Sequence, residues 1–312
     1  GKEFGAERSN KMGRFRRARV LFLALAGLAL PLSSAEVPLA TNESAVSRYL
    51  AQGDVGGARR ALEAIVAKGG ETSGTHFFRA LILNRESRYQ DSLEELQKCL
   101  RGQPDHAAAY KLAGLNLVAL NKAEFAGMYF EKAAELDPND GWARYYLGLR
   151  LLEQKRYGDA AVLLEQAVKL QPGELDFLSV WGLALEQMNR LEDAEAAYRQ
   201  AIALERGKGD YRPRLYLGRM LTAQDRAAEA VRVLEPAEKS GADSGEILLA
   251  LAQALEKAGH PEKALKKAED AERRRPEDPA VAYLLMRLHK RAGRMEKARE
   301  SGRRFEELRD RK

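Results

Sequence analysis

The sequence contains little of what enzymes use for chemistry. It has one cysteine in 312 residues, Cys99, which excludes an internal disulfide. Its four histidines are scattered, and none has a cysteine or a second histidine at the spacing of a metal site. The sequence shows no phosphate-binding loop, glycine-rich dinucleotide motif or Gly-x-Ser-x-Gly motif. These absences predict a non-enzyme without metal or cofactor, in which Cys99 is a small buried side chain.

Long hydrophobic runs are also missing, apart from one near the start. Residues 20–32 are apolar except for Gly27 and Pro31, and arginines precede them. A membrane-spanning helix needs roughly 20 residues, so we interpret 1–35 as an N-terminal extension and a signal peptide. This peptide would start at Met12 and be cleaved after Ala35. We expect export to the periplasm or secretion. The alternative is an uncleaved leader that anchors the protein in the membrane, facing the periplasm.

The net charge of +6 and the pI near 9.2 invite a nucleic-acid interpretation, but the positive charge lies at the two ends. Residues 1–35 carry seven Lys or Arg and two Glu, and residues 279–312 carry eleven basic and five acidic side chains. The chain between them is net acidic. Nucleic-acid binding is therefore not expected, because it needs basic side chains gathered along one surface of the fold.

Between Leu39 and Lys312 the sequence repeats every 34 residues. In residues 141–174, the repeated side chains are Leu147, Gly148, Ala160, Leu164 and Pro172. The equivalent residues are Ala113, Gly114, Ala126, Phe130 and Pro138 one unit earlier, and Trp181, Gly182, Ala194 and Tyr198 one unit later. We expect the small residues to let two helices of one unit approach closely.

This pattern resembles the tetratricopeptide repeat, a 34-residue helix-turn-helix unit. The resemblance implies an all-α fold, a right-handed α-solenoid of about eight units. The units are 39–72, 73–106, 107–140, 141–174, 175–208, 211–244, 245–278 and 279–312. Two departures stand out: a Gly-rich stretch at 206–210 is a candidate hinge or a tolerant linker, and Pro236 is expected to kink a helix.

In proteins of this family, ligands usually lie on the concave face, at positions 2, 5, 9, 12 and 13 of a unit. The resemblance gives ten candidate residues: Phe77, Leu81, Lys111, Leu115, Trp142, Tyr145, Leu149, Arg219, Tyr283 and Arg287. They predict a groove that is apolar in its N-terminal half and basic at its C-terminal end. The alternative is that curvature buries the apolar side chains against neighbouring first helices.

The resemblance implies a non-catalytic scaffold or adaptor in the cell envelope, which binds a peptide or helix of a partner protein in the groove. Membrane contact is expected only if the leader is uncleaved. The alternative function is a substrate-recruiting or regulatory subunit of an envelope enzyme or assembly complex. The final stretch, 303–312, is expected to be a charged capping helix or an anionic docking patch.

Overall fold

The computed structural model describes residues 43–205, 211–239 and 245–311, which fold into helices joined by short turns. Within these ranges there are sixteen helices and no strand, which confirms the all-α prediction. The helices are α1 Glu43–Ala51, α2 Val55–Gly69, α3 Ser73–Arg85, α4 Tyr89–Gly102, α5 Ala107–Ala119, α6 Ala123–Leu136, α7 Gly141–Glu153, α8 Tyr157–Leu170, α9 Leu175–Gln187, α10 Leu191–Ala203, α11 Arg212–Ala223, α12 Ala227–Lys239, α13 Gly245–Lys257, α14 Pro261–Arg274, α15 Pro279–Arg291 and α16 Met295–Asp310.

Consecutive helices pair into eight hairpins, from α1 with α2 to α15 with α16. Each predicted 34-residue unit contains one hairpin, and below a position is counted from the first residue of its unit. The hairpins fall into two compact parts. The first part holds α1 to α8 and ends at Gln171, and the second begins at Pro172 and holds α9 to α16. The predicted leader, 1–35, and the Gly-rich stretch at 206–210 lie outside the described residues.

Each hairpin turns at a residue with left-handed backbone conformation, always at position 15. The residues are Gly53, Ser87, Asn121, Lys155, Asn189, Asp225, Gly259 and Gly293, with φ between 58° and 84°. The next amide closes the turn by bonding back to the first helix, as Arg156 does to the Leu151 carbonyl at 2.9 Å. This is the geometry of a Schellman cap, which ends a helix without leaving its last carbonyls unpaired. Position 15 therefore determines where each hairpin turns.

In four of the eight hairpins, a glycine at position 8 makes room for a large side chain at position 24. A Cβ on Gly148 would lie 2.6 Å from Leu164 Cγ, and one on Gly114 would lie 2.6 Å from Phe130 Cε1. The sequence led us to expect close helix backbones, but the neighbour that requires the glycine is a side chain. Where position 24 is small, position 8 is larger, as in the pairs Ala252 with Ala268 and Met286 with Gly302.

Small buried residues also line the second helices. Cys99 is fully buried, and burial raises the pKa of its thiol to about 11. The thiol is therefore protonated and inaccessible at neutral pH, which confirms its predicted structural role. Pro236 lies inside α12, which continues to Lys239.

Candidate functional site

Four of the apolar residues predicted to line a groove are buried. Phe77 and Leu81 are 7% and 4% exposed, and Tyr145 and Leu149 are 0% and 2% exposed. The Phe77 ring packs on His106, at the start of the next first helix, with the ring centres 4.4 Å apart. Their burial favours the alternative prediction, in which the apolar side chains pack against neighbouring helices. It corrects the expectation of an open apolar surface. Burying such side chains is a main source of stability in stacked repeats.

Trp142 and Leu115 complete the apolar stretch and offer little more surface. Trp142 is 7% exposed and meets Tyr145 edge-on, with ring centroids 5.5 Å apart. Leu115 is half-buried. These two residues therefore contribute to the packing of α5 and α7 and do not form a wide exposed apolar surface.

Lys111, predicted to point into the groove, is buried in an ion pair. Its Nζ lies 2.5 Å from Asp140 Oδ2, and both side chains are less than a tenth exposed. The other oxygen of Asp140 accepts the Trp142 amide at 2.9 Å, so it caps α7. One carboxylate thereby caps its own helix and neutralises a lysine from α5. Lys111 therefore has a structural role in this arrangement.

The basic residues of the second compact part are more accessible. Arg219 is half-buried and contacts Glu246 at 3.5 Å. Tyr283 is 43% exposed, and Arg287 lies over its ring at 5.7 Å from the centroid. Arg287 also pairs with Glu256 at 2.6 Å, which holds the guanidinium in place.

Tyr283 and Arg287 form one end of a larger exposed strip on α15. Lys290 and Arg291 continue it, and neither forms an ion pair within the described ranges. We call these four residues the α15 surface. Phe305 of α16 lies inside the predicted capping or docking stretch 303–312 but was not among the predicted groove residues, and its ring lies 5.3 Å from that of Tyr283. Its signal was a phenylalanine at position 27, where the six preceding units have alanine or cysteine.

A cluster of charged residues on α3 and α4 has the contacts of a structural ion network. His76 Nδ1 and Arg79 Nη1 lie 2.7 and 3.2 Å from Glu95 Oε2, and Lys98 contacts Glu95 Oε1 at 2.7 Å. Burial acts to raise the pKa of Glu95, but hydrogen bonds from Lys98, His76 and Arg79 outweigh it and lower the pKa to about 2. The Glu95 carboxylate is therefore ionised at neutral pH, and both of its oxygens contact basic side chains.

The described ranges contain no group of three or more His, Cys, Asp or Glu arranged to hold a metal ion. In the same ranges, no helix combines the length and the apolar character needed to cross a membrane.

Comparison with known proteins identifies the repeat. The sequence profile of the tetratricopeptide repeat family matches four stretches that together cover most of the chain, at 44–107, 111–174, 180–245 and 249–310. No curated protein sequence matches the chain.

Several solved structures share the fold at low sequence identity. The APC/C hetero-tetramer Cut9–Hcn1 aligns with a TM-score of 0.69 and 14% identity, over 87% of this chain and 53% of that one. The chain thus spans about half of that relative's length. Pseudomonas aeruginosa pilF gives 0.59 and 18%, covering 67% of this chain and 94% of that one. A tetratricopeptide repeat protein from Parabacteroides merdae gives 0.57 and 14%, covering 79% and 96%. At these identities the likeness shows the fold alone.

Proposed function

Since the chain belongs to the tetratricopeptide repeat family, whose fold supports protein–protein interaction, we propose that it is a non-catalytic scaffold of the cell envelope. In this proposal the α15 surface binds a peptide or helix of a partner protein. The envelope location rests on the leader, whose arginines and apolar run at 20–32 are typical of exported proteins.

The observation that carries the proposal is the exposure of Tyr283 and Arg287. Of the ten predicted groove residues, these two present the most surface, at 43% for Tyr283 and 47% for the Arg287 side chain. An aromatic ring with cations around it favours a partner segment that carries acidic side chains and an apolar one. Tyrosine and arginine are also the residues that contribute most strongly to protein interfaces.

Site-specific photocrosslinking of the exported full-length chain tests this function. A photoreactive amino acid replaces Tyr283 in one sample and Glu300, exposed on α16, in a control. We expect discrete adducts from position 283 and none of the same mass from position 300. Lys290→Glu together with Arg291→Glu should reduce the adducts severalfold, because the acidic partner is then repelled.

Two crosslinking results would contradict the proposed binding surface. Identical adducts from both positions, or adducts that do not change with the two charge reversals, would show that the α15 surface does not select the partner.

N-terminal sequencing checks the location: a chain starting at Glu36 supports cleavage and export, and an intact leader in the membrane fraction supports the anchored alternative. A wholly cytosolic protein would refute the envelope assignment.

A further inference from the structure

Exposed large apolar side chains also occur in the first compact part, on the second helices α6 and α8. Phe125, Met128 and Val162 are 51%, 62% and 55% exposed, although each is a large hydrophobic residue. Met128 and Val162 occupy position 22 of consecutive units, where five of the other six units have a charged residue. Phe125 is at position 19, where six of the other seven units have Asp, Glu or Lys. The departure is therefore confined to two neighbouring repeats.

Beside Met128 the surface deepens into an open cavity of about 560 Å³. Side chains from α4, α5 and α6 line it: Gln97, Leu100, Arg101, Tyr110, Met128 and Tyr129. The rings of Tyr110 and Tyr129 lie 6.1 Å apart. Binding pockets for small molecules and side chains commonly have about 300–1,000 Å³. This cavity is therefore large enough to receive one large apolar side chain of a partner.

The charge around this surface also departs from the repeat pattern. In the units before and after, the residue at position 16 is an arginine that pairs with the aspartate at position 19, as Arg156 does with Asp159 at 2.7 Å. Here Lys122 is at position 16, and Phe125 replaces its acidic partner. Lys122 is exposed and makes no ion pair with any described residue. Phe125 thus adds exposed apolar surface. It also replaces the carboxylate with which the residue at position 16 would otherwise pair.

Arg101 gives the cavity its charge. Among the described residues that line it, Arg101 is the only charged one, and its exposed guanidinium forms no ion pair within those ranges. Glu124 and Glu131 lie on α6 but do not line the cavity. A cavity lined partly by apolar and aromatic side chains, with one exposed cation that has no carboxylate partner among the described residues, is complementary to an apolar side chain with a carboxylate close by.

We propose that this cavity, with Met128 in its lining and Phe125 one turn away on α6, together the α6 surface, binds a segment of a partner protein that presents a large apolar or aromatic residue next to a carboxylate. The apolar side chain enters the cavity beside Met128, whose flexible thioether adapts to its shape. The carboxylate pairs with Arg101 or Lys122. This inference goes beyond the α15 surface, since it uses other residues in the other compact part and does not depend on that function.

A peptide display library tests the proposal on the full-length chain. Random twelve-residue peptides are selected on the wild-type protein, and their affinities are measured by fluorescence anisotropy. We expect the selected peptides to share an aromatic or leucine residue with Asp or Glu within about four positions. Met128→Glu, which restores the charge typical of position 22, should weaken binding at least about tenfold, and Arg101→Gln about fivefold.

The matched control is Met295→Glu, the same substitution at a methionine that is 48% exposed on α16. It should leave peptide affinity unchanged, while circular dichroism melts check that all three variants are folded. Peptides that lack the acidic residue, or that bind the Met128→Glu and Arg101→Gln variants as tightly as wild type, would overturn the proposal.

Two other occupants give distinct results. If a second copy covers the α6 surface, sedimentation will show a dimer of the full-length chain that Met128→Glu converts to monomer. If a membrane covers it, phosphatidylglycerol vesicles will carry the wild-type chain in flotation and not the Met128→Glu variant. Either result, without peptide selection, would refute a protein segment as the ligand.

Discussion

Lys111 of α5 and Asp140, the N-cap residue of α7, form a buried ion pair that links the first helices of two consecutive hairpins. Their Nζ and Oδ2 atoms are 2.5 Å apart, and the side chains are 8% and 4% exposed. Because Asp140 also caps α7, the pair ties the start of one first helix to the middle of the preceding one. A lysine in a position typical of ligand contacts has here become part of the packing between hairpins.

Removing one partner of this pair is expected to be strongly destabilising. Lys111→Met leaves the Asp140 carboxylate buried without its cation, which should lower the free energy of unfolding by about 3 kcal/mol. Urea unfolding followed by circular dichroism measures the loss. Arg156→Met, in an exposed pair with Asp159, is the control and should have little effect. Equal effects of the two substitutions would show that the burial of the Lys111 pair is energetically unimportant.

The pairing of positions 8 and 24 predicts a compensating double mutant. Gly148→Ala places a Cβ against Leu164 and should cost about 1–3 kcal/mol. Adding Leu164→Ala makes the pair equivalent to the native Ala252 and Ala268, so the double mutant should be more stable than the sum of the two single losses predicts. Thermal melts of all four proteins complete the cycle. Strict additivity would mean that the two positions do not compete for space.

The left-handed residue at position 15 offers a stabilising substitution. Lys155 has φ of 62°, a region that costs energy for a residue with a side chain. Lys155→Gly should raise stability by about 0.5–1 kcal/mol, whereas Gly259→Ala, at φ of 84°, should lower it by a similar amount. Differential scanning calorimetry measures both. A lower melting temperature for Lys155→Gly would mean that the contacts of the lysine side chain outweigh the backbone cost.

His106 makes the start of α5 sensitive to acid. Its Nδ1 accepts the Ala109 amide at 3.2 Å, which requires the neutral ring, and burial lowers the pKa of the imidazole below its usual 6.5. The folded state then binds protons less readily than the unfolded state, so the contribution of His106 is complete above about pH 6.5 and is lost as the pH falls below it.

His106→Asn keeps a capping acceptor that does not titrate. The melting temperature of wild type relative to this variant should therefore fall between pH 7.5 and pH 5. Glu95 and His289 are present in both proteins, so their own titrations cancel in the difference. A difference that does not change with pH would show that the His106 cap is not coupled to protonation.

The 34-residue period was sufficient to predict the hairpins, because Gly148, Ala160 and Leu164 recur wherever two helices of a unit meet. It was also sufficient for Cys99, which stands in place of an alanine. Exposure could not be read from the same pattern. Tyr145 and Tyr283 share position 5, yet one is fully buried and the other is 43% exposed, because burial depends on the side chains around each residue and not on its position in the unit.

The charged and apolar residues of the second helices were harder to interpret for a related reason. The sequence shows Phe125 where six of the other seven units have a charged residue, but its meaning depends on the cavity beside Met128. That cavity is formed by three helices, and Arg101 and Met128 come from different units. A pattern that compares equivalent positions detects the exception and does not show which residues surround it.

The matched volumes at positions 8 and 24 bear on how such a chain can change by gene duplication. Both residues of a pair belong to one hairpin, so copying or deleting a whole 34-residue unit keeps them together. A crossover inside a unit separates them. Joining the first helix of 279–312, with Met286, to a second helix that carries a residue like Phe130 would place two large side chains in space made for one. Recombination at unit boundaries should therefore keep every pair intact, whereas recombination within a hairpin should succeed only between units whose residues at positions 8 and 24 have complementary volumes.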